Sequence, residues 1–136
     1  MTLSTIRTKS VSITFRGFQA LAEEVASLVG IPAARLGNRA EPVKAGVKTL
    51  LSRSYVKFSR EFTDDQELSE MLPALFLYLG GTPRIKDILN VVRPEFVEIN
   101  LDLPVRRSDD SQDGYLQGQS IREASDLNAS ISFSFF

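Results

Sequence analysis

FTDDQELSEMLPALFLYLGGTPRIKDILNVVRPEFVEINLDLP, residues 62–104, decides the fold, because its apolar residues change period along its length. Leu68, Met71, Leu72, Leu75, Phe76 and Leu79 recur three and four apart, the spacing of one buried helical face. Thr63 and Gln66 have the spacing of a capping box and predict where that helix begins. Gly80-Gly81 ends it, since glycine adopts the left-handed conformation a helix C-terminus requires, and Thr82-Pro83 starts a second helix as N-cap and first helical residue. Ile85, Ile88, Leu89 and Val92 form the second stripe, which stops near Arg93 because Pro94 disfavours the α conformation in the residue before it. The period then falls to two. Val97, Ile99, Leu101 and Leu103 point one way and Glu98, Asn100 and Asp102 the other, predicting a strand with one wet face. Pro73 interrupts the first helix away from its stripe. Its missing N–H and ring clash cost on the order of 3 kcal/mol. Each buried side chain of the stripe contributes roughly 1.5 kcal/mol or more, so a kinked but intact helix is expected.

Upstream, Val11, Ile13 and Phe15 alternate with Ser12, Thr14 and Arg16 as a half-buried strand closed by Gly17, preceded by a flexible start over residues 1–8. Residues 18–29 predict a helix with Leu21, Ala22, Val25, Leu28 and Val29 on its apolar face and Gly30 at its stop. Residues 31–46, with Pro32, Gly37, Pro42 and Gly46, read as a long connection holding at most a helical turn over 33–36. Residues 47–51 have strand composition, and Ser52-Arg53-Ser54 joins them as a hairpin to a strand over 55–61; a helical turn over 48–53 is the alternative. Downstream, 104–118 is a polar loop, and Ser120 with Glu123 opens a short helix that turns Ile121, Ala124 and Leu127 inward. Ile131, Phe133 and Phe135 alternate with Ser130, Ser132 and Ser134 in a last strand that ties residue 136 into the sheet.

These elements predict a single α+β domain over 1–136: a two-layer sandwich with a mostly antiparallel or mixed sheet, helices on one face, and ferredoxin-like topology. With 43% hydrophobic residues the chain can bury a core without metals or disulfides. It lacks any apolar run of roughly 18 residues, so no membrane span is expected. Residues 1–4 show no charged lead into an apolar signal core, so a cytoplasmic location is expected. There is no Cys and no His, which excludes disulfides, thiolate nucleophiles, the usual zinc sites and imidazole acid–base chemistry. A chain without these groups or a catalytic motif is expected to be no enzyme and to use no cofactor.

Charge is polarised along the chain. Residues 1–60 hold 10 Lys/Arg against 3 Asp/Glu, and residues 61–136 hold 6 against 14. Arg35, Arg39, Lys44, Lys48 and Lys57 in the basic half, and Glu98, Asn100 and Asp102 on the wet strand face, are therefore the candidate partner-binding residues. Asp109, Ser111 and Asp113, followed by Gly114, match the opening of a calcium loop, in which alternate oxygen ligands converge on a hard cation. The twelfth position is Ser120 where such a loop has a bidentate Glu.

The succession Val11-Ser12-Ile13-Thr14-Phe15, Val29-Gly30-Ile31-Pro32, Tyr55-Val56-Lys57-Phe58-Ser59, Val97-Glu98-Ile99-Asn100-Leu101 and Ile131-Ser132-Phe133 resembles a bacterial family of small domains called domain of unknown function 4279, over nearly the whole chain. Residues 55–58 stand where such domains often carry a tryptophan. The resemblance implies a bacterial cytoplasmic α+β domain and carries over no catalytic residue. The expected function is non-enzymatic binding of a protein partner, as an immunity or accessory protein. A carboxylate-based metal or small-ligand site, and nucleic-acid binding by the basic half, are the alternatives, and a homodimer through a sheet edge is compatible with each.

Overall fold

Four alternating strands, one short strand and four helices make up the architecture, in a computed structural model that describes residues 8–104 and 114–136. In chain order they are β1 (Thr8–Arg16), α1 (Ala22–Val29), β2 (Arg35–Gly37), β3 (Tyr55–Thr63), α2 (Leu68–Tyr78), α3 (Thr82–Val92), β4 (Phe96–Leu103), α4 (Gly118–Asp126) and β5 (Ala129–Phe135). The sheet order is β2-β3-β1-β4-β5, with every neighbour antiparallel except β4 and β5. β1 and β2 therefore run parallel with β3 between them, and β3 and β4 run parallel with β1 between them. Two interleaved split β-α-β units of this kind are the ferredoxin-like arrangement expected from the sequence. Its second crossover is built from two helices, and α4 with β5 adds a fifth strand outside β4.

One core lies between the helices and one face of the sheet. β1 supplies Val11, Ile13 and Phe15, β3 supplies Val56 and Phe58, and β4 supplies Val97, Ile99 and Leu101, all buried. Phe15 and Phe58 pack edge to face with ring centroids 6.1 Å apart. α2 crosses β1 and β3, α1 lies on β3, α4 lies on β5, and α3 packs against α1 and α2. Met71, Leu72, Leu75, Phe76 and Leu79 are all buried, as their spacing predicts.

Pro73 stays inside a continuous α2. A proline gives no N–H to the carbonyl four residues back, here Ser69, and that carbonyl accepts instead from Gln117 Nε2 at 3.1 Å. The α2–α3 joint is locked by Arg84. Its guanidinium donates to Leu79 O (3.2 Å) at the end of α2 and to Val29 O (2.7 Å) and Leu28 O (3.4 Å) at the end of α1. A cation at two helix C-termini meets orphan carbonyls and the negative ends of two dipoles together. Gly80 makes room for it: at φ +99°, a Cβ there would lie 2.5 Å from Arg84 Cδ.

Several expected boundaries move. α1 begins at Ala22 and not at residue 18, and it buries Ala22, Val25 and Val29 while Leu21, in the N-cap position outside the helix, and Leu28, about 60° beyond Val25 at the margin of the stripe, stay exposed. Residues 35–37 are extended and not helical, since pairing with β3 satisfies their backbone. No hairpin turns at 52–54. Residues 40–51 instead fold back on themselves through Ala40 N–Leu51 O (2.9 Å), Leu51 N–Glu41 O (2.8 Å) and Val43 N–Thr49 O (2.9 Å). Thr63 ends β3 and bonds the Asp65 carboxylate, so α2 starts at Leu68 without the expected capping box. Gly81, not Thr82, is the N-cap of α3. α4 starts at Gly118, burying Ser120 and leaving Ile121 outside, because Ser120, Ala124 and Leu127 share the inward stripe. Thr8, expected in the flexible start, pairs with Thr63 in the sheet.

Candidate functional site

The face of the sheet away from the helices is the candidate site, and strand alternation dictates its contents. Because Val11, Ile13, Val56, Phe58, Ile99 and Leu101 turn inward, their neighbours turn out, and the register aligns these into rows across the sheet. One row reads Ser59, Ser12, Asn100, Ser132; the next reads Glu61, Ser10, Asp102, Ser134. On the other side of the first lie Arg35, Lys57, Thr14, Glu98 and Ser130, and then Tyr55, Arg16 and Phe96. At mid-sheet the small side chains of Ser12 and Thr14 are only 2% and 8% exposed, shaded by their longer neighbours.

The acidic side of this face is a joined polar network. Asp102 accepts from Ser10 Oγ (3.2 Å) and from Asn100 Nδ2 (2.7 Å). Asn100 Oδ1 in turn accepts from Ser132 Oγ (2.8 Å) and Ser134 Oγ (3.2 Å). Glu98 is held by Arg16 Nε at 2.7 Å. Among the described residues, no group of three or more carboxylates gathers where it could hold a metal ion.

One corner of the face repeats a motif that sequence reading missed. Arg16 lies 5.5 Å from the Tyr55 ring centroid and pairs with Glu98; Arg53 lies 5.2 Å from the Phe96 ring centroid and pairs with Glu95 at 2.9 Å. Each arginine is thus stacked on a ring and held by a carboxylate, and both units remain partly exposed. Gly17 makes the corner possible: it has φ +81°, its N–H donates to Ser54 O, its carbonyl accepts from Glu95 N, and a Cβ there would sit 2.9 Å from Glu95 Cβ. Parity carried the signal, since Phe96 alternates with Glu98 and Arg16 with Thr14, placing both on the wet face.

Of the candidate residues, the structure brings Arg35, Lys57, Glu98, Asn100 and Asp102 onto this one face. Arg39, Lys44 and Lys48 lie off the sheet in the 38–54 connection, so the basic candidates do not form a single strand face. That connection is tied down by Asn38, a second residue that sequence reading missed. Its Oδ1 accepts from Ala22 N, the first amide of α1, at 2.7 Å, and its Nδ2 donates to both Glu23 carboxylate oxygens at 3.1 Å. The hydrogen bond from Asn38 holds the Glu23 carboxyl below its ordinary range. The Thr63 hydroxyl does the same for Asp65. The calcium-loop candidates Asp109, Ser111 and Asp113 lie outside the described residues.

No described helix is long and apolar enough to cross a membrane. Comparison of the chain with protein-family models, with curated proteins and with solved structures returns no match.

Proposed function

We propose that this chain is a non-enzymatic protein-interaction module of the bacterial cytoplasm, of the immunity or accessory kind, and that its partner protein docks on the open face of the sheet. The observation that carries the reading is the charge gradient across that face. The basic half of the chain supplies β2, β3 up to Arg60 and β1, and the acidic half supplies β4 and β5, so sheet order turns a polarity along the sequence into one across a surface. Arg35 and Lys57 sit toward one edge, with Glu61 the single acidic residue of β3 on this face, and Glu98 and Asp102 sit toward the other, joined by the Arg16–Glu98 pair. A gradient of this kind steers and orients a partner of opposite pattern and raises its association rate.

The chemistry at mid-sheet fits a protein better than RNA. A sheet that reads single-stranded RNA stacks bases on mid-strand aromatics, and the corresponding positions here are Ser12, Thr14, Ser59 and Asn100. A carboxylate-based ligand site has less support, because Glu98 and Asp102 already accept from Arg16, Ser10 and Asn100.

Affinity capture from the source cell tests the reading, using wild type, the double reversals Arg35→Glu/Lys57→Glu and Glu98→Lys/Asp102→Lys, and Glu24→Lys on the outer side of α1. A protein retained by wild type and Glu24→Lys but lost by both double reversals supports it. Capture that ignores the reversals removes this face as the site, and low-salt binding of DNA or RNA without any protein partner replaces the reading by the nucleic-acid one.

A further inference from the structure

The two edges of the sheet are built differently. β2 is three residues long, carries Arg35 and runs into the folded-back 38–54 connection, a guarded edge of the kind that discourages further pairing. Among the described residues β5 has no such guard. Its seven residues, Ala129-Ser130-Ile131-Ser132-Phe133-Ser134-Phe135, include no charge and no proline, and among the described residues no strand pairs with its outer side. On its helix-facing side Phe133 and Phe135 are 45% and 63% exposed, and Phe136 beyond them is 65% exposed. The strand is nevertheless held firmly from within, by the β4 ladder, by Ser132 and Ser134 on Asn100, and by Phe136 N on Leu103 O. An edge of this length and composition presents a fixed row of backbone donors and acceptors beside bare aromatic rings.

We propose that β5 pairs antiparallel with β5 of a second copy of this chain, about a two-fold axis at Phe133, giving a continuous ten-stranded sheet. Self-pairing is favoured by three features. The strand itself carries no charge to repel its own copy, the charged Lys9, Asp65 and Glu67 lying on the far side of the concavity that Phe133 and Phe135 line. A two-fold axis perpendicular to the sheet keeps the helices of both copies on one side, so odd positions must meet odd positions. Centred on Phe133, that rule sets Ile131 against Phe135 on the helix side and Ser132 against Ser134 on the open side, apolar to apolar and hydroxyl to hydroxyl. The area is also sufficient. A phenylalanine presents on the order of 200 Å² in full, so Phe133, Phe135 and Phe136 together leave roughly 350 Å² bare per copy. Two copies with their paired backbones and serines pass the roughly 1,000 Å² a specific interface needs. The dimer would set the two β4 rows of Glu98, Asn100 and Asp102 on one continuous face, three strand spacings or about 14 Å apart.

The proposal is independent of the partner reading above, since one concerns the edge and the other the face. Sedimentation of the wild-type chain at about 100 µM, well above a micromolar dissociation constant, should show a dimer. Phe133→Lys and Phe133→Glu should each raise the dissociation constant on the order of 30-fold or more, as expected for a central interface residue. Mixing those two variants should restore a heterodimer, because the axis brings position 133 against itself. Phe135→Lys, at a more exposed position, should weaken the dimer in the same way and serves if substitution at 133 disturbs folding. A wild-type monomer at that concentration overturns the proposal, as does a dimer that survives both lysine variants. Failure of the two folded charged variants to reassociate overturns the Phe133-centred register.

Discussion

Replacing Asn38 with alanine tests whether the 38–54 connection is held by one side chain. The Oδ1 of Asn38 accepts from Ala22 N at 2.7 Å, and Leu21, the residue in the N-cap position of α1, makes no side-chain cap of its own. Losing an N-cap of this kind costs about 1 kcal/mol. For a chain of this length that corresponds to a fall in Tm of roughly 3–5 °C, measurable by calorimetry. A second readout is pH. Glu23 has its carboxyl held below the ordinary range by the hydrogen bond from Asn38. A carboxylate whose folded pKa is depressed contributes stability above its unfolded pKa, and that contribution disappears as pH falls through the folded value. The stability gap between wild type and Asn38→Ala should therefore be larger at neutral pH than at about pH 3, leaving only the cap at the acid end. NMR titration should show Glu23 rising toward the ordinary glutamate range in the variant, held back only by its own backbone hydrogen bond, and hydrogen exchange at Ala22 should accelerate. An unchanged Tm together with an unshifted Glu23 titration would refute the account of Asn38 as the tie between α1 and the connection carrying Arg39, Lys44 and Lys48.

Arg84→Ala should lower stability by about 2 kcal/mol in chemical denaturation, because carbonyls at the ends of α1 and α2 lose a charged donor. Gly80→Ala should cost more in wild type than in the Arg84→Ala background, where the side chain it would strike is gone; strictly additive effects would show that Gly80 serves only its own φ. Gln117→Ala should cost about 1–2 kcal/mol by leaving the Ser69 carbonyl without its donor. The same change should be nearly neutral in Pro73→Ala, where the residue-73 amide returns to that carbonyl, so equal costs in both backgrounds would contradict the pairing. Glu98→Gln, at a partly exposed ion pair, should change stability by less than about 1 kcal/mol, which makes it a usable probe of the open face by thermal melting and binding together.

How far the sequence reaches follows from how local each signal is. The α2 and α3 stripes, the Gly80-Gly81 break, the stop at Arg93 and the inward set of β4 were all legible, because each is a repeat or a steric rule acting within a few residues. Element starts were less legible. Thr63 and Gln66 fit a capping box by spacing, yet Thr63 is claimed by β3, whose ladder with β1 continues to that residue. Residue type puts Ile121 inward and spacing makes Ser120 a cap, whereas packing leaves Ile121 exposed and buries Ser120 inside α4. The candidate face was half legible. Parity alone put Glu98, Asn100 and Asp102 on a wet surface, but not opposite Ser12, Thr14 and Ser10, since register belongs to pairs of strands distant in sequence.

By itself, then, the sequence determined where the longer helices and strands lie to within a few residues, which face of each long strand is apolar, and that the chain's charge is divided between its halves. These are short-range consequences of steric propensity and of the 3.6- and 2-residue periods. Only the tertiary structure decided the strand order that spreads the divided charge across one surface, the stacking of Arg16 and Arg53 on Tyr55 and Phe96, the reach of Asn38, Arg84 and Gln117 to backbone far along the chain, and the bareness of β5. Each depends on which distant segments become neighbours, a choice made by burial of the whole core, and local spacing carries no record of it.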